Sequence, residues 1–203
     1  MNNIIILKRS YFVSFLFLML ANYYCIAQDT SNLSLKRLLQ LDDFKSIPDY
    51  NVRWKAFSWI GLKYNYSNPR NCQDKKIKFD FLVSEVFEEK RSWFKKEHLS
   101  NDQIKVILDH EQQHYNIGEV MSNEIFAQLS SYCFDKARAK NQIDSIVKMN
   151  YNYYYQIQLD YDYDVYYRGN NQKNQESWNS KIKIMLIESR QKRKLAETKK
   201  NQF

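Results

Sequence analysis

Two histidines four residues apart, with a glutamate beside the first, carry the clearest chemical signal in this sequence: His110-Glu111-Gln112-Gln113-His114. On an α-helix a separation of four turns through about 400°, so both imidazoles leave one face and can converge on one tetrahedral zinc ion. Glu111 then lies about 100° round, beside a zinc-bound water. Zinc lowers the pKa of that water towards neutrality and polarises a scissile carbonyl, while Glu111 takes the proton as general base and later delivers it to the leaving amine. The competing reading is a helix whose two histidines are only packed or hydrogen-bonded. Against it stand the stripe shared with Ile107, Ile117 and Met121, and preceding strands that offer an edge to an extended peptide. His98, ahead of the motif, reads as an exposed loop residue.

The elements that must position this motif are legible from periodicity. From Asn51 to Tyr66 apolar residues alternate with polar ones, Asn68-Pro69-Arg70-Asn71 reads as a turn, and Ile77, Phe79, Phe81, Val83 and Phe87 alternate again, which predicts a β-hairpin or small antiparallel sheet. Ser100 followed by Gln103 makes a capping box, and the helix it opens should run to about Tyr132 with Gly118 as its weak point. A second helix fits Ile143, Ile146, Val147, Tyr154 and Ile157, and a third fits Trp178, Ile182, Met185 and Leu186. Between them lies a Tyr- and Asp-rich segment from Asp160 to Asn171, expected as a loop. The whole reads as one α+β domain over residues 29–203, sheet first and helices after.

Composition narrows the class. Among 203 residues there are Gly 3 and Pro 2, too few for the many special backbone positions of sandwiches, barrels and nucleotide-binding turns. The 16% aromatic content argues against disorder, and the mean hydropathy of −0.68 excludes a polytopic membrane protein. Lys8 and Arg9, the apolar run Tyr11 to Ala21 and the small residues of Cys25-Ile26-Ala27 predict a signal peptide over residues 1–28, hence export to a periplasmic or extracellular space. Its removal takes one cysteine and leaves Cys72 and Cys133, a disulfide candidate in an oxidising compartment. The formal net charge of +8 is concentrated late, in a basic helical tail over about 188–203. Such a tail is a solvated helix end favoured by the helix dipole or, as the less expected alternative, a contact with an anionic envelope surface; no nucleic-acid motif accompanies it.

Beyond the motif itself, Leu41-Asp42-Asp43-Phe44-Lys45, Ser92-Trp93, the run Leu108 to Glu119, and a late Tyr-Asp segment followed by Gln175-Glu176-Ser177-Trp178 resemble the bacterial domain of unknown function 922 family, predicted secreted zinc-dependent proteases. The similarity extends from about residue 40 to about 185. It implies a zincin-like fold, a bound Zn2+, a peptide or protein substrate and a third metal ligand in the late Tyr-Asp segment. Many members carry a histidine there, whereas this chain has Tyr163-Asp164-Val165-Tyr166-Tyr167-Arg168-Gly169 and no histidine after His114. The metzincin continuation is excluded, since Ile117 and Val120 stand where its glycine and third histidine would be.

The third ligand must then be a carboxylate. Glu119 points about 140° away from His114 on a helix, and Glu124 is in phase but about 15 Å along the axis. Asp160, Asp162 and Asp164 lie in the segment the family uses, and Asp164 matches it best, giving His110, His114 and Asp164 as expected ligands and Glu111 as the catalytic base. A neutral tyrosine such as Tyr163 or Tyr167 could donate to the oxyanion. The alternative function is a non-catalytic envelope binding or structural protein that keeps a degenerate zincin-like fold.

Overall fold

The computed structural model describes residues 36–166, 169 and 171–200, and the expected signal peptide lies outside the described residues. The chain divides into Met1–Lys36 and a compact unit Arg37–Phe203; everything below concerns the second unit. It is α+β: a short 3-10 turn at Leu41–Asp43, then strands β1 (Ala56–Phe57), β2 (Ile60–Gln73), β3 (Lys76–Phe87) and β4 (Trp93–Phe94), helix α1 (Asn101–Ser131), strand β5 (Phe134–Asp135), and helices α2 (Ala139–Tyr166) and α3 (Asn171–Lys200). None of the described helices is long and apolar enough to cross a membrane.

Strands β2 and β3 form a long antiparallel hairpin, and β5 adds antiparallel to the far end of β3 through Lys76↔Asp135 and Ile77↔Phe134. The alternation along β3 sets its faces: Phe81, Val83, Glu85 and Phe87 are buried, while Leu82 is exposed. The expected turn at Asn68–Asn71 is instead part of β2, where the register shifts between Ser67 and Arg70 and Asn68 takes a positive φ of 52°. A bulge absorbs Pro69 there, because proline has no N–H to give to the ladder. The reversal comes later, at Asp74-Lys75, with Lys75 at φ 55°. Cys72, near the end of β2, is disulfide-bonded to Cys133, which immediately precedes β5, with Cα atoms 6.3 Å apart. The covalent link and the β3–β5 pairing together hold the end of α1 onto the sheet.

Helix α1 begins as its sequence dictates. The Ser100 hydroxyl accepts from Gln103 N at 3.3 Å, and the Gln103 side chain accepts from Ser100 N at 2.8 Å. The helix runs unbroken through Gly118. That glycine is a packing device and no weak point: a Cβ there would fall inside the van der Waals envelope of Ile60 Cγ2 at the start of β2. The close approach brings the histidine turn of α1 beside the strand segment 56–60.

Helix α1 is enclosed from His110 onward by β3 and β2, by α2 and by α3, so many of its polar residues there are buried and most of these find partners. Tyr115 and Ser122 donate to the two oxygens of Glu85 at 3.0 and 2.7 Å. Gln112 accepts from Leu39 N at 2.8 Å and donates to Arg37 O at 3.1 Å, which ties the incoming chain to the helix. The basic tail belongs to the same framework. Arg190 grips buried Glu119 at 2.6 and 2.9 Å, and Arg193 lies 4.4 Å over the Phe126 ring and donates to Val83 O at 3.1 Å. The expectation of a solvated helix end therefore fails for these two arginines, whose guanidinium groups close the space between α1 and α3.

Candidate metal centre

The two histidines of α1 and one aspartate of α2 converge. Asp162 Oδ1 lies 3.1 Å from His110 Nε2 and 2.9 Å from His114 Nε2, and the two Nε2 atoms are 3.2 Å apart. Four donors around a zinc ion at about 2.0 Å are separated by about 3.3 Å along each tetrahedral edge, so this triangle has the dimensions of one face of such a site. Among the described residues it is the group of histidine, cysteine and carboxylate side chains with metal-ligand spacing.

The far nitrogens decide which way the rings face. His110 Nδ1 lies 3.2 Å from Gln175 Oε1 on α3, and His114 Nδ1 is hydrogen-bonded to Gln158 Oε1 on α2. A glutamine carbonyl oxygen only accepts, so both Nδ1 atoms carry the proton and both Nε2 lone pairs face the Asp162 carboxylate. Three electron-rich atoms that close together are an arrangement that a cation between them would stabilise. The carboxylate acts on the neighbouring ring: burial would lower the His114 pKa, but the charge and hydrogen bond of Asp162, helped by Glu111 and Gln158, push it up to about 9. Burial acts upward on Asp162 as well, yet His114 and His110 outweigh it and hold its carboxyl well below the usual carboxylate range.

Neighbouring groups fix the arrangement. The Tyr161 ring stacks on the His110 ring at 4.5 Å and 19°, and its hydroxyl donates to Gln175 Oε1 at 2.9 Å. Burial raises the Tyr161 phenol pKa, so it stays neutral. Glu111 is 2% exposed, and its Oε2 has no hydrogen-bond partner among the described residues. A buried carboxylate oxygen left so costs about 1–3 kcal/mol or more unless something outside the chain pairs with it. Glu111 is among the residues that line a cleft of about 470 Å³, together with His110, His114 and Asp162 and with Ala56, Phe57 and Ser58. The Ser58 hydroxyl oxygen is likewise buried without a partner among the described residues.

Of the residues expected here from sequence, His110, Glu111 and His114 are brought together and Asp164 is not. Its Oδ2 accepts from Trp178 Nε1 at 3.1 Å and its backbone oxygen from Asn174 at 2.7 Å. The late segment is helix to Tyr166, where a loop was expected. Two residues along a helix turn the side chain through about 200°, so Asp162 and Asp164 cannot share a face. Glu119 is held by Arg190 and Glu124 by Lys192 at 2.7 Å. His98 is exposed, with φ 62°. Gln158 and Gln175 were not anticipated. For Gln158 there was a signal: it stands four residues before Asp162, the same interval that separates His110 from His114, and on a continuous α2 that spacing puts both on one face. Tyr163 lines the cleft, and Tyr167 lies outside the described residues. No protein-family model, no curated protein and no solved structure matches the chain.

Proposed function

We propose that the chain is an exported zinc-dependent metallopeptidase with a zincin-like fold, related to the domain of unknown function 922 family, in which His110, His114 and Asp162 hold the metal and Glu111 is the general base. The observation that carries it is the set of three donor atoms within 3.2 Å of one another, each imidazole turned by a glutamine, beside a buried carboxylate oxygen without a partner. Two imidazoles and a carboxylate are a donor set that zinc takes in hydrolytic sites, leaving further positions open. Zinc held there would acidify a bound water and polarise the carbonyl under attack. Glu111 takes the proton of the attacking water and returns it to the departing amine. Asp162 supplies the negative charge that the two neutral imidazoles lack, and Gln158 and Gln175 keep both Nε2 lone pairs aimed inward. The Ser58 hydroxyl, without a partner among the described residues, would pair with a polar group of a bound chain. Export is supported by the disulfide, since such bonds persist in oxidising compartments.

Metal analysis of protein purified without a histidine tag tests the proposal. About one zinc per chain is expected, lost in His114→Ala and kept in Glu111→Gln, while the Gln variant loses about 10²–10⁴-fold in casein hydrolysis. Wild-type protein that binds no zinc, or a Gln variant as fast as wild type, overturns it; metal-free protein is the expectation of a non-catalytic binding role.

A further inference from the structure

We infer that the cleft selects peptide segments with large aromatic or aliphatic side chains beside the bond to be cut, and that Trp54, Trp59 and Tyr155 read them. The inference rests on the peptidase reading for the kind of substrate and on the cleft walls for the selectivity. One wall is a stripe of α2. Tyr151, Tyr155, Leu159 and Tyr163 recur every fourth residue, run about 18 Å along the axis and end beside the turn that carries Asp162. The Tyr151 and Tyr155 rings lie parallel, 6.4 Å apart at 4°. These are large side chains left in water: Tyr155 is 55% exposed and Tyr163 56%.

The rest of the lining includes Trp54, Phe57 and Trp59, of which Phe57 and Trp59 are held in place by neighbours. The Arg91 guanidinium sits 3.3 Å from the centre of the Trp59 ring, Ser92 Oγ accepts from Trp59 N at 2.9 Å, and Phe57 stacks on Trp93 at 6.2 Å. Rings fixed before a ligand arrives lose little entropy on binding it. Outside the metal centre the described lining carries no carboxylate, lysine or arginine, so a charged side chain entering it would lose water without gaining a partner. Aromatic walls also suit sugar rings. A sugar, however, presents a hydroxyl at nearly every carbon, and besides the tyrosine hydroxyls and the two indole N–H donors the polar side chains here are Ser58 and Gln158, the latter already engaged with His114. Burial without partners would disfavour it.

Isothermal titration of the full mature chain carrying Glu111→Gln, which holds peptides uncut, tests the inference. The probes are acetylated and amidated Ala-Phe-Leu-Ala, Ala-Ala-Ala-Ala and Ala-Lys-Glu-Ala, together with chitotetraose. The Phe-Leu peptide is expected to bind about ten-fold or more tightly than either other peptide, and the preference to shrink to about two-fold when Trp54→Ala or Tyr155→Ala is added. Circular dichroism and zinc content should stay unchanged in both, because these side chains lie outside the core and the metal centre. Equal affinities for the three peptides, no measurable binding of any, or tighter binding of chitotetraose overturns it. Selective binding by a chain whose wild type cuts nothing upholds the selection of aromatic and aliphatic side chains by these walls and sinks the peptidase reading. Cleavage without preference does the reverse.

Discussion

Gln158 grips His114 at two points, its Oε1 accepting from the imidazole Nδ1 and its Nε2 donating to the His114 backbone oxygen at 3.2 Å. One side chain thus fixes both the tautomer of the ring and the height of α2 against α1. Removing such an outer partner of a metal-binding histidine typically costs 10–100-fold in affinity. Gln158→Ala should weaken zinc binding by about that factor, measured by competition with a fluorescent chelator, without unfolding the protein. An unchanged affinity would show that the ring is held by packing alone.

Asp162 and Asp164 should separate cleanly. Asp162→Asn removes the charge between the two imidazoles and should lower zinc affinity by about 100-fold or more. Asp164→Ala should leave affinity within about two-fold yet cost about 1–2 kcal/mol in urea unfolding, because it strips the acceptor from the indole N–H of buried Trp178. The reverse ranking in the chelator assay would place Asp164 in the centre.

Gly118→Ala is expected to destabilise, against the usual trend for a helical glycine. The gain in helix propensity is about 1 kcal/mol, while forcing a methyl into Ile60 costs about 1–3 kcal/mol. The shift in urea midpoint should be relieved when Ile60→Ala is combined with it, which makes room for the new Cβ. A Gly118→Ala protein more stable than wild type would mean that the strand segment at 60 is free to move away.

Arg190→Ala leaves Glu119, 4% exposed, without its cation. Breaking a buried pair by one partner costs about 3 kcal/mol, and chemical denaturation should show a loss of that order. Glu119→Gln in the Arg190→Ala background should recover much of it, since a neutral amide needs no counter-charge. If the double variant is no better than the single, the guanidinium contributes by packing.

How far the sequence reaches depends on the range of the force that matters. The length and start of α1, the alternation of β3 and the facing of His110 and His114 follow from local rules, namely a capping box, a period of two and a turn of about 100° per residue. The partnership of Cys72 and Cys133 was expected from compartment and even number, and the fold seats them together. The turn at 74–75 was hidden because Asn68 and Pro69 carry stronger turn chemistry, which the strand accommodates as a bulge.

The third corner of the proposed metal centre lay beyond local reading. Asp160, Asp162 and Asp164 are the same residue type in one short run, and only the continuation of α2 to Tyr166 chooses among them. Once the segment is helical, its phase sends Asp162 with Gln158 towards α1 and Asp164 towards Trp178 on α3. That phase is set by the apolar positions Ile157, Tyr161 and Val165 burying themselves together. The sequence determined that two imidazoles and a glutamate share a helix. The packing of α2 and α3 around that helix decided which carboxylate joins them, because helix phase couples to partners nearly fifty residues away only through burial.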